Sequence, residues 1–265
     1  MPRLIAALLC CLLACCSKSK TDPGGGSGGT LRIGMELTYP PFETKDNAGN
    51  PDGVGVKIAE ALAKELGRPL KIVPMDFAGL IPALKSGSID LVISSMTATD
   101  ERRKSIDFSE PYAFTGLAVL APKNSPITSV EDLKAPGKKI AVKATTTGET
   151  WSEANLPDAK RIAFGEETAC VQEVAQGRAD AFLYDQLSIY RYQKMNPDTT
   201  KALLRPFVEE SWAVGIAKGN DDLKGKVNAF IEHFRKDGGF DKLGSQYLSE
   251  EKKTLEQMGI PFILR

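Results

Sequence analysis

From Leu31 onward the apolar residues fall into short blocks whose spacing switches between the period of a strand and that of a helix. Residues 31–35 read as a strand, 54–66 as an amphipathic helix closed by Gly67, and 70–73 as a second strand. A helix over 80–85, entered near Pro82 and ended at Gly87, leads into a buried strand over 89–94. The same order then restarts, with a strand over 140–142, a helix over 166–176 closed by Gly177, and a strand over 179–184. Strands joined through helices predict an α/β protein with parallel sheets covered by helices.

An internal echo points to two similar halves. LKSGSIDLVI at 84–93 lines up with VAQGRADAFL at 174–183, ninety residues later. Each copy has a helix end, a glycine at the left-handed cap position, an aspartate and a buried strand. In doubly wound sheets ligands sit outside the carboxyl ends of the strands. Those ends carry Ser94, Ser95, Met96 and Thr97 in one half, and Tyr184 and Asp185 in the other. Two such ends facing each other make a cleft.

The amino-terminal sixteen residues follow a different rule. Arg3 precedes an apolar run of thirteen residues, too short to span a bilayer comfortably and suited to a secretory signal. Leu12-Leu13-Ala14-Cys15 resembles a bacterial lipobox, which implies a signal peptide over 1–14 and a lipid on Cys15, with Cys16 as second candidate. Residues 15–30 then form a lipid-anchored, Gly-rich flexible linker. Four of the five cysteines lie in the first sixteen residues, so Cys170 lacks a partner and no internal disulfide is expected. Cys170 reads as a small core residue on a helix.

Composition narrows the function. Lys+Arg and Asp+Glu balance at 34 each, which argues against a nucleic-acid binder. With one histidine, His233, neither a His-dependent triad nor a His-rich metal site is expected, and no cofactor or metal is implied. The remaining chemistry belongs to hydroxyls, carboxylates and arginine. Ser94, Ser95, Thr97 and Thr99 precede Arg102, whose planar guanidinium suits a carboxylate. Thr145, Thr146 and Thr147 open a predicted helix whose backbone N–H groups attract the same kind of anion. Asp185 is an acceptor suited to an ammonium. One anion grip and one ammonium grip describe an α-amino acid. Taken singly, these same residues also fit ordinary Ser/Thr turns and solvated caps.

At these residues the chain resembles the polar-amino-acid-binding proteins of bacterial ABC importers, the extracellular solute-binding family 3. The matching stretches are TYPPFE (38–43), the run from Met75 to Tyr112, IAVKATTTGE (140–149), GRADAFLYD (177–185) and WAVGIAKGN (212–220). The resemblance implies a two-lobed Venus-flytrap fold, type II, with lobes joined by two crossover strands near 112–116 and 208–214. Lobe 1 would comprise 31–112 and 214–265. Lobe 2 would be 113–213, with hinge strands at both ends.

Carried over to this sequence, Arg102 matches the clamp on the ligand α-carboxylate, aided by Thr147, Thr146 and the backbone of Ser95. Ser94, Thr97 and Asp185 match groups that meet the α-ammonium. Tyr39 and Phe77 match the walls around the side chain. Glu36 stands where relatives for basic amino acids and glutamine commonly place Asp. Lys143 lies beside the mouth, and an inward orientation would weaken a cationic ligand. Thr145 replaces a common glycine, so a looser approach of its loop is expected.

The implied protein is a binding protein, not an enzyme, with no catalytic residues. It is expected to be monomeric and anchored by lipid at the periplasmic or cell-surface side of a membrane. It would deliver a polar L-amino acid to the transmembrane subunits of an ABC permease. The favoured ligands are arginine or lysine, then glutamine. A sensor without transport and a cyclohexadienyl-dehydratase-like enzyme are the alternatives on the same fold. The stretch 250–265 carries no readable motif.

Overall fold

A computed structural model describes residues 29–264. The expected signal peptide, Cys15 and the linker as far as residue 28 lie outside these residues. The first half begins with β1 (Leu31–Met35), a small hairpin of β2 (Thr44–Lys45) and β3 (Pro51–Asp52), and α1 (Val54–Glu65). It continues through β4 (Leu70–Pro74), α2 (Phe77–Lys85), β5 (Leu91–Val92) and α3 (Asp100–Ser105). In α1 the buried face repeats at Val54, Ile58 and Leu62, the spacing that puts one side of a helix on a sheet. β1 pairs in parallel with both β4 and β5.

A long strand, β6 (Asp107–Pro122), leads into the second half. There β7 (Lys139–Lys143), α4 (Thr147–Asn155), β8 (Lys160–Phe164), α5 (Glu167–Ala175) and β9 (Ala181–Asp185) repeat the scheme. Strand β7 pairs in parallel with β8 and β9. Helix α6 (Gln186–Met195) then leads to a second long strand, β10 (Thr200–Ile216). Helices α7 (Asp221–Lys236), α8 (Gly239–Tyr247) and α9 (Ser249–Gln257) follow.

All but the hairpin strands join one sheet in the order β4-β1-β5-β10-β6-β9-β7-β8. β10 reaches the first half at Gly215 opposite Val92, and β6 reaches the second at Leu117 opposite Asp185. Between these points the two long strands pair with each other, antiparallel, with register slips at 203–208 and 212–215. Slips of this kind bend a ladder locally, and here they lie where the two halves meet. Hydrophobic clusters cover both faces of each half. Ile33, Leu62 and Phe230 share one cluster and Leu80, Val92 and Phe108 another. In the second half Phe182 with Cys170 faces one way, and Leu183 with Val142 the other.

The internal echo is a repeat of contacts as well as letters. Gly87 and Gly177 take φ of 73° and 67°, the left-handed conformation that glycine adopts most easily. Asp90 then accepts the Arg32 N–H at 2.8 Å, and Asp180 accepts the Lys139 N–H at 2.8 Å. Each aspartate thus ties its strand to the start of the half's first strand.

Two expectations shift. Helix α2 begins at Phe77, so Pro82 lies inside it rather than at its entrance. Burial of Leu80 and Leu84 on one face outweighs the hydrogen bond that an internal proline forgoes. The motif-free end of the chain is structured: α9 is followed by a segment that returns to β6. There the Phe114 N–H donates to the Ile263 carbonyl at 2.8 Å, and Leu264 bridges to Ala113. Among the described residues no helix is long and apolar enough to cross a membrane.

Candidate functional site

The carboxyl ends of β1, β5, β7 and β9 converge on one small cleft. Its walls contain all ten residues singled out from sequence: Glu36, Tyr39, Phe77, Ser94, Ser95, Thr97, Arg102, Thr146, Thr147 and Asp185. Glu36 follows β1, the serines follow β5, and Arg102 lies on the short helix α3 that the Thr99 hydroxyl caps. Thr146 and Thr147 form the start of α4, and Asp185 ends β9 and caps α6.

Arg102 is held by backbone carbonyls. Its Nη1 donates to the Thr97 carbonyl at 2.8 Å and its Nη2 to the Thr145 carbonyl at 3.0 Å. The guanidinium carbon stands 5.3 Å from the centre of the Phe77 ring. Burial pushes its pKa down, and the charge of Glu210 opposes that shift. No carboxylate forms an ion pair with it among the described residues. The second-half loop therefore touches Arg102 directly, contrary to the looser approach expected of Thr145. That residue takes the φ of a glycine, +64°, and so brings its carbonyl in.

Asp185 presents the complementary charge. One oxygen, Oδ1, accepts the N–H groups of Leu187 and Ser188 at 3.0 Å each. Its other oxygen, Oδ2, is buried and completes no hydrogen bond, and neither does the buried Tyr39 hydroxyl. Burial raises the Asp185 pKa, with Tyr39 and the Ser188 and Leu187 N–H groups acting against it. Ser94 is less free than expected, since its hydroxyl accepts the Glu36 N–H at 3.0 Å. The Thr146 hydroxyl donates to the Lys143 carbonyl at 2.7 Å and closes the turn into α4.

A third group of charges sits behind Glu36. Lys143 is 1% exposed and points inward; its ammonium lies 2.5 Å from Glu36 Oε2 and 3.1 Å from Glu167 Oε1. Glu36 Oε1 accepts the Phe77 N–H at 3.3 Å. Glu167 also accepts the hydroxyls of Tyr184 at 3.1 Å and Tyr192 at 2.8 Å. Burial works against the Lys143 ammonium, but the two carboxylates outweigh it and its pKa is raised. Burial likewise raises Glu167, with Lys143 opposing.

The model of the bacterial extracellular solute-binding proteins, family 3, matches residues 31–250. The chain belongs to this family. The L-cystine-binding protein TcyJ of Escherichia coli is 34% identical to this solute-binding protein over 225 residues, 84% of each chain. The L-arginine-binding protein of Pseudomonas aeruginosa is 32% identical, with 83% of this chain and 88% of the relative covered. An ancestral arginine-binding protein solved with arginine is 41% identical at a TM-score of 0.77, covering 83% of this chain and 98% of its own. An ancestral amino acid-binding protein, a precursor of cyclohexadienyl dehydratase, is 38% identical at a TM-score of 0.75, over 83% of this chain and 95% of its own. The two-lobed fold expected of a family 3 solute-binding protein is thus the fold observed.

Two further wall residues of the solute-binding protein escaped the sequence reading, Glu210 and Trp212, and Tyr184, placed there at a strand end, had been given no role. Glu210 and Trp212 lie two apart on β10, and alternate residues of a strand share a face. A crossover strand expected over 208–214 already contained that signal. Burial raises the Glu210 pKa, while the Thr147 hydroxyl and the Arg102 charge act against it.

Proposed function

We propose that this solute-binding protein captures a polar L-amino acid in the cleft and hands it to an ABC permease. The observation that carries the reading is a pair of opposite charges facing one cavity: Arg102, which forms no ion pair among the described residues, and Asp185, whose Oδ2 completes no hydrogen bond. A ligand with an α-carboxylate and an α-ammonium supplies both partners at once. Arg102 and Thr97 come from the first half, while Thr147 and Asp185 come from the second. Such a ligand favours the closed arrangement in which all of them are near, which is how binding shifts an open–closed equilibrium. The relatives named for cystine, arginine and glutamine support the same class.

We assign the side-chain end differently from the basic preference read in the sequence. Lys143 already occupies one oxygen of Glu36 and lies buried beside it, so a second cation there meets a like charge. A carboxylate with its remaining lone pairs still accepts from an uncharged donor. The ligand is therefore an amino acid neutral overall: glutamine brings an uncharged N–H donor to Glu36, and cystine brings an ammonium together with a carboxylate that faces Lys143, so these two are the leading candidates. On the lipobox resemblance, the protein works from a lipid anchor on Cys15 outside the cytoplasmic membrane.

Calorimetric titration of protein unfolded and refolded to remove carried ligand, against all twenty amino acids and cystine, tests this. Glutamine or cystine should bind tightest. Tighter binding of arginine overturns the assignment at Glu36, and silence across the panel overturns the amino-acid reading itself.

A further inference from the structure

One buried carboxyl next to the cleft has no part in the reading above. Glu43, in the turn after Tyr39, is 0% exposed. It accepts the Ser95 hydroxyl at 2.9 Å through Oε2 and 3.2 Å through Oε1. Space for it is provided by Gly55, where a Cβ would stand 2.1 Å from Glu43 Oε1. Burial pushes the Glu43 carboxyl well above the usual range, with the Ser95 hydroxyl acting against the shift. The Tyr112 hydroxyl, also buried, completes no hydrogen bond.

Its partner is an unusual residue. Ser95 has φ of 48°, in the left-handed region where a Cβ crowds the backbone. Such a conformation persists in a residue with a side chain only when the surroundings hold it. The neighbours of Ser95 bear on the cleft directly. The Thr97 carbonyl orients Arg102 at 2.8 Å, and the Ser94 hydroxyl fixes the Glu36 N–H at 3.0 Å. If Ser95 relaxes to negative φ, both supports move with it.

We propose that Glu43 is a positioning residue: through the Ser95 hydroxyl it locks the 94–97 loop in the turn that aims Arg102 at the ligand. This rests on the reading that Arg102 meets the α-carboxylate of an amino acid. Alanine at Ser95 removes the tether but keeps the Cβ penalty. Glycine removes both. The tether therefore predicts an order that a merely space-filling serine does not.

The test titrates L-glutamine, L-cystine and L-arginine into the wild-type protein, Ser95→Ala, Ser95→Gly, Glu43→Leu, Glu43→Gln and the Glu43→Leu/Ser95→Ala pair. Melting without ligand reports the fold. Ser95→Ala should weaken every ligand that binds by about tenfold without reordering them, and Ser95→Gly should recover most of that loss. Glu43→Leu should weaken binding alike, with no further loss in the pair, and Glu43→Gln should retain most of the affinity because its amide oxygen still accepts the hydroxyl. Wild-type affinity in Ser95→Ala, a glycine variant no better than alanine, or additive losses in the pair overturn the proposal. If Glu43→Leu does not fold, the alanine–glycine comparison decides alone. Should the wild-type protein bind none of the three, the amino-acid reading fails and takes this proposal with it. Binding by the wild type with no loss in either serine variant fails the positioning role only.

Discussion

The two ends of the cleft treat charge in opposite ways. At one end Arg102 is half-buried with backbone carbonyls but no ion-paired carboxylate among the described residues, and Asp185 is buried with one oxygen completing no hydrogen bond. At the other, Lys143 is shared between Glu36 and Glu167 before any ligand arrives. Burying an unpaired charge is costly, and a partner from outside recovers that cost. On the proposed function the first end is a grip on the backbone common to all amino acids. On the same proposal the second is a filter, whose ammonium is already paired with two carboxylates and leaves less for a cationic visitor to gain.

The strongest way to break this comparison is Arg102→Ala. Losing a buried hydrogen-bonded charge partner costs about 2–5 kcal/mol, or roughly thirty- to several-thousand-fold in affinity. Calorimetry should show that loss for every amino acid alike. If only some ligands suffer, Arg102 belongs to the filter. Lys143→Met attacks the other end. It leaves Glu36 and Glu167 buried side by side, which should lower unfolding stability by about 3 kcal/mol or more. Arginine should then raise the melting temperature of the variant more than glutamine does. An unchanged preference would show that Lys143 serves only the fold.

The smallest effect expected is a pH dependence. The raised pKa of Asp185 means that protons compete for it more readily than for an ordinary aspartate. As pH falls through that raised value, the carboxylate that would hold the ammonium is lost, and affinity drops by up to about tenfold per pH unit. The unliganded fold behaves oppositely. Its folded pKa lies above the unfolded one, so stability is gained as pH falls through the same window and lost as pH rises. Glu210, raised likewise near Arg102, opposes the trend in affinity. Titrations and melts of Asp185→Asn beside the wild type isolate the Asp185 contribution, and parallel curves for the two proteins would remove Asp185 from the ammonium site.

The gathering of the grip residues around one cavity was legible in the sequence because they sit at or just after strand ends. Ser94 to Arg102 form one short stretch after β5, and Asp185 closes β9. Such positions face the cleft whatever the rest of the chain does. The filter was not legible, because the direction of Lys143 depends on Glu36 and Glu167, which lie 107 and 24 residues away. Glu43 and Ser95 show the same limit, since a left-handed serine has no signature in letters. Glu210 and Trp212 were readable in principle from strand alternation. The start of α2 was obscured by Pro82, whose usual place near a helix entrance hid three earlier residues.

The return of Ile263 and Leu264 to β6 has a consequence for synthesis. These residues pair beside Ala113 and Phe114, in the strand that joins the two halves, and β10 must already lie along that strand. A chain still emerging therefore holds both sets of strand ends before the ladder that ties them together is complete. The ladder between the two halves is thus closed by residues that lie far along the chain from the strand they complete.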